Sequence, residues 1–142
     1  MKKYINISFI YTMAALACGV FYREFTKLLS FSGKTTLAYT HLHLFVLGTV
    51  MFLLIAIFSR ITTLSQQKEF NRFMLLYNIG LPFMITMFFV RGVTQVLGTE
   101  LSKGASAAIS GVSGIAHIII TVAIVMLFLA LKKSQVVTNA VK

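Results

Sequence analysis

Residues 105–131 read ASAAISGVSGIAHIIITVAIVMLFLAL, a run with no Asp, Glu, Lys or Arg. A helix needs about 20 mostly apolar residues to cross the ~30 Å hydrocarbon core, so this run is long enough for one crossing. Strands of a barrel alternate in polarity with period two, and the run is continuous instead. Three further stretches qualify in the same way: residues 4–22, 36–59 and 73–97. The reading is an all-α, integral membrane four-helix bundle in which the 142 residues form one membrane domain.

Composition agrees. Hydrophobic residues make up 58% of the chain and charged residues 11%, with a mean hydropathy of +0.88. Soluble domains carry roughly 25% charged residues, and disorder requires low hydrophobicity. The net charge of +10 would raise nucleic acid in a soluble protein. Here the basic residues fall between apolar runs, so they read as topology and headgroup charges, and no nucleic-acid partner is expected.

Their distribution sets an expected orientation. The N-terminus, second connection and tail carry Lys2, Lys3, Arg60, Lys68, Arg72, Lys132, Lys133 and Lys142, and the first and third connections carry Arg23, Lys27, Lys34 and Lys103. The eight-to-four bias places both termini on the cytoplasmic side of a bacterial plasma membrane. Residues 1–20 also read like a secretory signal, with Lys2 and Lys3 before an apolar stretch and small residues around Cys18. The apolar run continues to Tyr22, so an uncleaved first span is expected. Cys18, the single cysteine, permits no intrachain disulfide and reads as a small buried apolar residue. Pro82 removes a helical hydrogen bond inside the third span and is expected to kink it.

An ionisable side chain inside hydrocarbon costs several kcal/mol and marks function. Four such residues stand out: His41, His43, Arg91 and His117, with Asn78 and Gln95 as neutral companions. At 1.5 Å of rise per residue, His41 and His43 lie about 7–10 Å inside the second span and Arg91 about 9 Å from the end of the third. His117 falls roughly 18 Å deep counted from Ala105, or about 9 Å deep counting back from Leu131 through a ~30 Å core. One polar centre in the outer half of the bilayer follows, with nothing comparable in the inner half.

Neutral imidazole binds transition metals, and two histidines on facing helices can ligate one haem iron. A porphyrin needs small residues beside it. Ser106, Ser110 and Gly114 repeat at four with Gly111 beside them, and His117 shares their face; Gly48, seven after His41, shares the face of His41. Arg91 suits a propionate. His41 and His43 point about 200° apart, so one faces the bundle and the other a neighbouring helix or a partner subunit. The expected function is a membrane-embedded haem b protein for electron transfer, gas or redox sensing, or haem handling. His41 or His43 and His117 are the candidate ligands, with Arg91, Gly48, Gly114 and Ser110 around the cofactor. Copper or zinc on the same histidines is the alternative cofactor.

The competing reading is a non-catalytic assembly or accessory subunit of a larger membrane complex, whose His and Arg residues and small-residue row pack helices together. A proton-coupled transporter fits less well, because Glu24, Glu69 and Glu100 all sit at connections. No phosphate loop, dinucleotide fingerprint, nucleophile elbow or H-E-x-x-H is present, so no soluble-type enzyme is expected. A homodimer and a redox partner are expected.

The stretches GVFYREFTK (19–27), HLHLFVLGTVMFLL (41–54), YNIG (77–80), VRGVTQVLGTELSKG (90–104) and ISGVSGIAHI (109–118) together resemble a family of small bacterial four-helix membrane proteins of unknown function. The resemblance implies the architecture and no activity. THLHLFVLG (40–48) is also similar to a haem-ligand helix of heme–copper oxidase relatives, which implies His41 as the iron ligand. The further histidines of an oxidase are missing.

Overall fold

A computed structural model describes residues 1–137; Lys142, counted above with the tail's basic residues, lies outside them. Four helices are each long and apolar enough to cross a membrane: α1 (Lys2–Leu28), α2 (Leu37–Ile61), α3 (Lys68–Val96) and α4 (Lys103–Lys133). No strand occurs among the described residues beyond one isolated bridge, Thr62 to Val136.

The helices overrun the apolar stretches. α1 continues past Tyr22 through Arg23, Glu24 and Lys27, and α3 starts at Lys68 rather than near residue 73. Arg, Lys and Glu are good helix formers, so charge ends the hydrocarbon crossing without ending the helix. What stops the chain is backbone geometry. Gly98 takes φ +63° after α3, with its N–H bonded to the Gln95 carbonyl and the Thr99 N–H to the Thr94 carbonyl, the paired bonds of a Schellman cap. Ser30 plays the same part after α1 at φ 48°. Ser102 opens α4 by accepting from the Ala105 N–H at 3.2 Å.

α1 packs on α2, α2 on α3, and α3 runs along α4. Ala116, Ile120, Ala123, Leu127 and Ala130 form the buried seam of α4, recurring at alternate steps of four and three as a coiled-coil-like contact requires. Gly80 of α3 receives Ile119 and Ile120. The termini and the second connection share one end of the bundle, here the near end: Tyr4 meets Phe70 edge-on at 5.7 Å, Lys133 pairs with Glu69, and the Thr63 N–H bonds the Gln135 carbonyl. The first and third connections form the far end.

α2 is not uniform. Leu44–Val50 is a π-helical stretch between two α-helical segments. Neighbours supply hydroxyl donors to its carbonyls: Tyr77 to Leu47 at 2.8 Å and Ser8 to Thr49 at 2.9 Å. Thr12 and Thr49 join hydroxyls at 2.9 Å. This uncharged polar network, with Tyr11 and Asn78 at 3.4 Å, has no histidine or arginine and escaped the search for ionisable residues. Tyr77 is fully buried. Tyr77→Phe keeps its packing and strands the Leu47 carbonyl, so it is expected to lower stability by about 1 kcal/mol, measurable by denaturant titration in detergent micelles.

Candidate functional site

The far end of α2 is stapled to α3. Thr35 Oγ1 donates to the Gly92 carbonyl and Thr36 Oγ1 to the Phe88 carbonyl, both at 2.9 Å, while the Thr36 N–H reaches Gln95 Oε1 at 2.8 Å. Leu37 seats against Gly92, where a Cβ would lie 2.6 Å from its side chain and 2.7 Å from its backbone nitrogen. These contacts fix the rotation of α2, and with it the aim of both its histidines.

His43 faces α3. Its ring meets Phe88 edge-on, centroids 4.8 Å apart and planes at 78°. His117 of α4 packs on the same Phe88 ring at 6.0 Å. Each imidazole uses Nδ1 in the same way: His43 with the Tyr39 carbonyl and His117 with the Ser113 carbonyl, both at 2.8 Å. A carbonyl oxygen only accepts, so Nδ1 carries the proton in both rings and Nε2 of the neutral ring keeps its lone pair.

Arg91, one turn beyond Phe88, reaches across to α4. Its Nη2 donates to the Ser106 carbonyl at 3.1 Å and to the Ser110 hydroxyl, and Ser110 passes its own proton to the Ser106 carbonyl at 3.0 Å. Between these groups lies an open groove of about 390 Å³, lined by Thr36, Phe88, Arg91, Ser110, Gly114 and His117 among others. Nothing stands within 4 Å of where a Cβ on Gly114 or Gly111 would be.

The other two sequence candidates lie elsewhere. His41 turns toward α1, its Cβ 3.7 Å from the position of a Cβ on Gly19, and its Nδ1 is buried without a hydrogen-bond partner. Gly48 also faces α1, as the seven-residue spacing predicts, but it makes no room for a flat guest: Tyr11 fills the space, 2.6 Å from where a Cβ would be. The expected cluster therefore divides. His117, Arg91, Ser110 and Gly114 line the groove with Phe88, His43 touches Phe88 but lines a separate pocket with Leu42, Val46 and Leu47, and His41 and Gly48 pack against α1. Among the described residues no group of three or more His, Cys, Asp and Glu side chains is placed to hold a metal ion. Cys18 is half-buried on α1.

Sequence reasoning passed over Thr35, Thr36, Phe88 and Gly92. The threonine pair opening an apolar run is a helix-start signal, and it marks where α2 is fastened. Nothing in the sequence singles out Phe88 from the chain's thirteen phenylalanines.

No curated protein and no solved structure matches the chain, so the likeness of its second span to oxidase helices finds no support there. A family model does match, over residues 1–134. The match covers nearly the whole chain, and the chain belongs to the family described as protein of unknown function (DUF2871).

Proposed function

We propose that this is a haem b protein of the bacterial plasma membrane, with both termini in the cytoplasm and its cofactor site in the outer half of the bilayer. His43 and His117 are the axial ligands. One observation carries the reading: the two imidazoles from α2 and α4 pack on one ring, and each has its Nδ1 proton committed to a backbone carbonyl. Metal-bound histidines are held by this outer-shell bond, which fixes the tautomer and aims Nε2 at the metal. His41 lacks that bond, which makes it the weaker ligand candidate. Phe88 is the side chain that a macrocycle would displace. Arg91 lies within reach of a propionate, and the absence of a side chain on Gly114 leaves space in the groove.

The haem supplies one-electron chemistry, and the protein sets its potential through ligand identity and burial. Electron transfer with a membrane redox partner, or redox sensing, is the role that fits two histidine ligands. Protein expressed in haem-replete cells and purified in detergent is expected to show a Soret band and the visible bands of six-coordinate low-spin iron. A colourless preparation from such cells overturns the proposal, and metal analysis of it tests the copper and zinc alternative.

A second reading has its own support. Arg91 ties α3 to α4 through Ser106 and Ser110, as the polar residues of a non-catalytic accessory subunit or homodimer would. It predicts a colourless protein in which His117→Ala alters oligomeric state or stability.

A further inference from the structure

Arg91 is a fixed cation inside a membrane helix, and no carboxylate neutralises it. The ion pairs among the described residues are Arg23 with Glu24 and Lys133 with Glu69, and the third acid, Glu100, lies in the third connection. Both protein acceptors of Arg91 are neutral, and both are served by Nη2. A guanidinium has five N–H donors, so Nε–H and the two Nη1 protons have no protein acceptor among the described residues. Arg91 lines the open groove.

The level of the guanidinium is informative as well. It meets Ser106, three residues into α4, which is about 5 Å from the start of that helix at 1.5 Å per residue. At 31 residues α4 is about 46 Å long at 1.5 Å per residue, longer than the ~30 Å hydrocarbon core, so its first turn stands near the headgroups and the long Arg91 side chain reaches toward them. The positive end of the α4 dipole and Lys103 lie at the same level, and both favour an anion.

We propose that this corner binds the phosphate of an outer-leaflet anionic phospholipid. The phosphate diester sits on the free edge of Arg91, whose planar fork suits phosphate oxygens. One acyl chain follows the groove past Gly114 over Phe88. This site needs no haem; a haem occupying the groove would displace the lipid and put a propionate where its phosphate had been.

The test is native mass spectrometry of wild-type protein isolated without haem, delipidated, then titrated with phosphatidylglycerol or phosphatidylcholine of the same chains. One phosphatidylglycerol is expected to be retained with roughly fivefold preference, the worth of about one basic residue at an anionic surface. Arg91→Gln should remove the preference, and Arg60→Gln, at the near end, should leave it. Because Arg91→Gln also loosens α3 from α4, Gly114→Phe provides a second variant, filling the groove with the arginine intact; it too should lose the lipid. Equal retention of the two lipids, or retention of phosphatidylglycerol in both groove variants, overturns the proposal. Displacement by millimolar inorganic phosphate overturns it in favour of a free oxyanion. A colourless wild type that still selects the lipid leaves this site standing while the haem reading falls, and a wild type that takes up haem yet shows no lipid preference when haem-free does the reverse.

Discussion

His43→Ala and His117→Ala are each expected to eliminate the six-coordinate low-spin spectrum of the proposed haem protein, and His41→Ala to retain it. The expectation follows from the rotation of α2. With Thr35 and Thr36 bonded to α3, His43 points at Phe88 and His41 at Gly19. Removing one axial imidazole leaves five-coordinate iron or no iron, since a b-type haem has no covalent tether. Removing His41 takes away a ring whose Nδ1 already lacks a partner, so the fold loses packing against α1 and no bonded polar group. The measurement is the reduced-minus-oxidised spectrum of the three variants at matched protein concentration, with iron content determined on the same samples. Loss of the spectrum in His41→Ala together with its retention in His43→Ala would reverse the ligand assignment.

Gly92→Ala is expected to be the most damaging single-methyl change in the bundle. A Cβ there would lie 2.6 Å from Leu37 Cγ, 2.7 Å from the Leu37 backbone nitrogen and 3.0 Å from Thr36 Oγ1. A flexible side-chain tip can move aside, but a backbone nitrogen cannot without carrying α2 with it. Overpacking of this kind costs about 1–3 kcal/mol, and parting the helices also strains the Thr35, Thr36 and Gln95 hydrogen bonds, each worth about 0.6 kcal/mol in a membrane protein. The sum is roughly 3 kcal/mol, about a hundredfold in the folded fraction. Gly111→Ala provides the comparison. Nothing lies within 4 Å of its Cβ position, so it should be neutral or slightly stabilising through helix propensity. Unfolding midpoints of the two variants in mixed micelles distinguish them, and equal midpoints would refute the staple as a determinant of α2 position.

The four helices were legible because hydrocarbon demands a length of apolar chain, and residues 105–131 satisfy it without a charge. Helix ends were less legible, because Arg23, Glu24 and Lys68 are polar enough to leave the bilayer yet helical enough to extend α1 and α3. The opposition of His41 and His43 followed from counting residues, since two residues turn a helix by about 200°. Which of the two looks inward did not follow, because helix rotation is decided by shape: Leu37 in the notch at Gly92, Tyr11 in the notch at Gly48. Spacing alone gave Gly48 and Gly114 the same meaning, clearance for a flat ligand. The structure separates them, one filled by a tyrosine and the other open.

The widened turns of α2 have a consequence for chain length. Shortening an ordinary helical stretch by one residue swings everything beyond it by about 100° around the axis, so with residues 35–37 fastened to α3 a deletion between residues 53 and 58 would turn the near end of α2 off its contacts while the His43 ring stays on Phe88. A π-helical stretch holds slack that tightening into α-geometry can take up. Within residues 44–50, the loss of one residue can thus be absorbed locally, and this segment is where the protein tolerates a change of length while both ends of α2 keep their bearing.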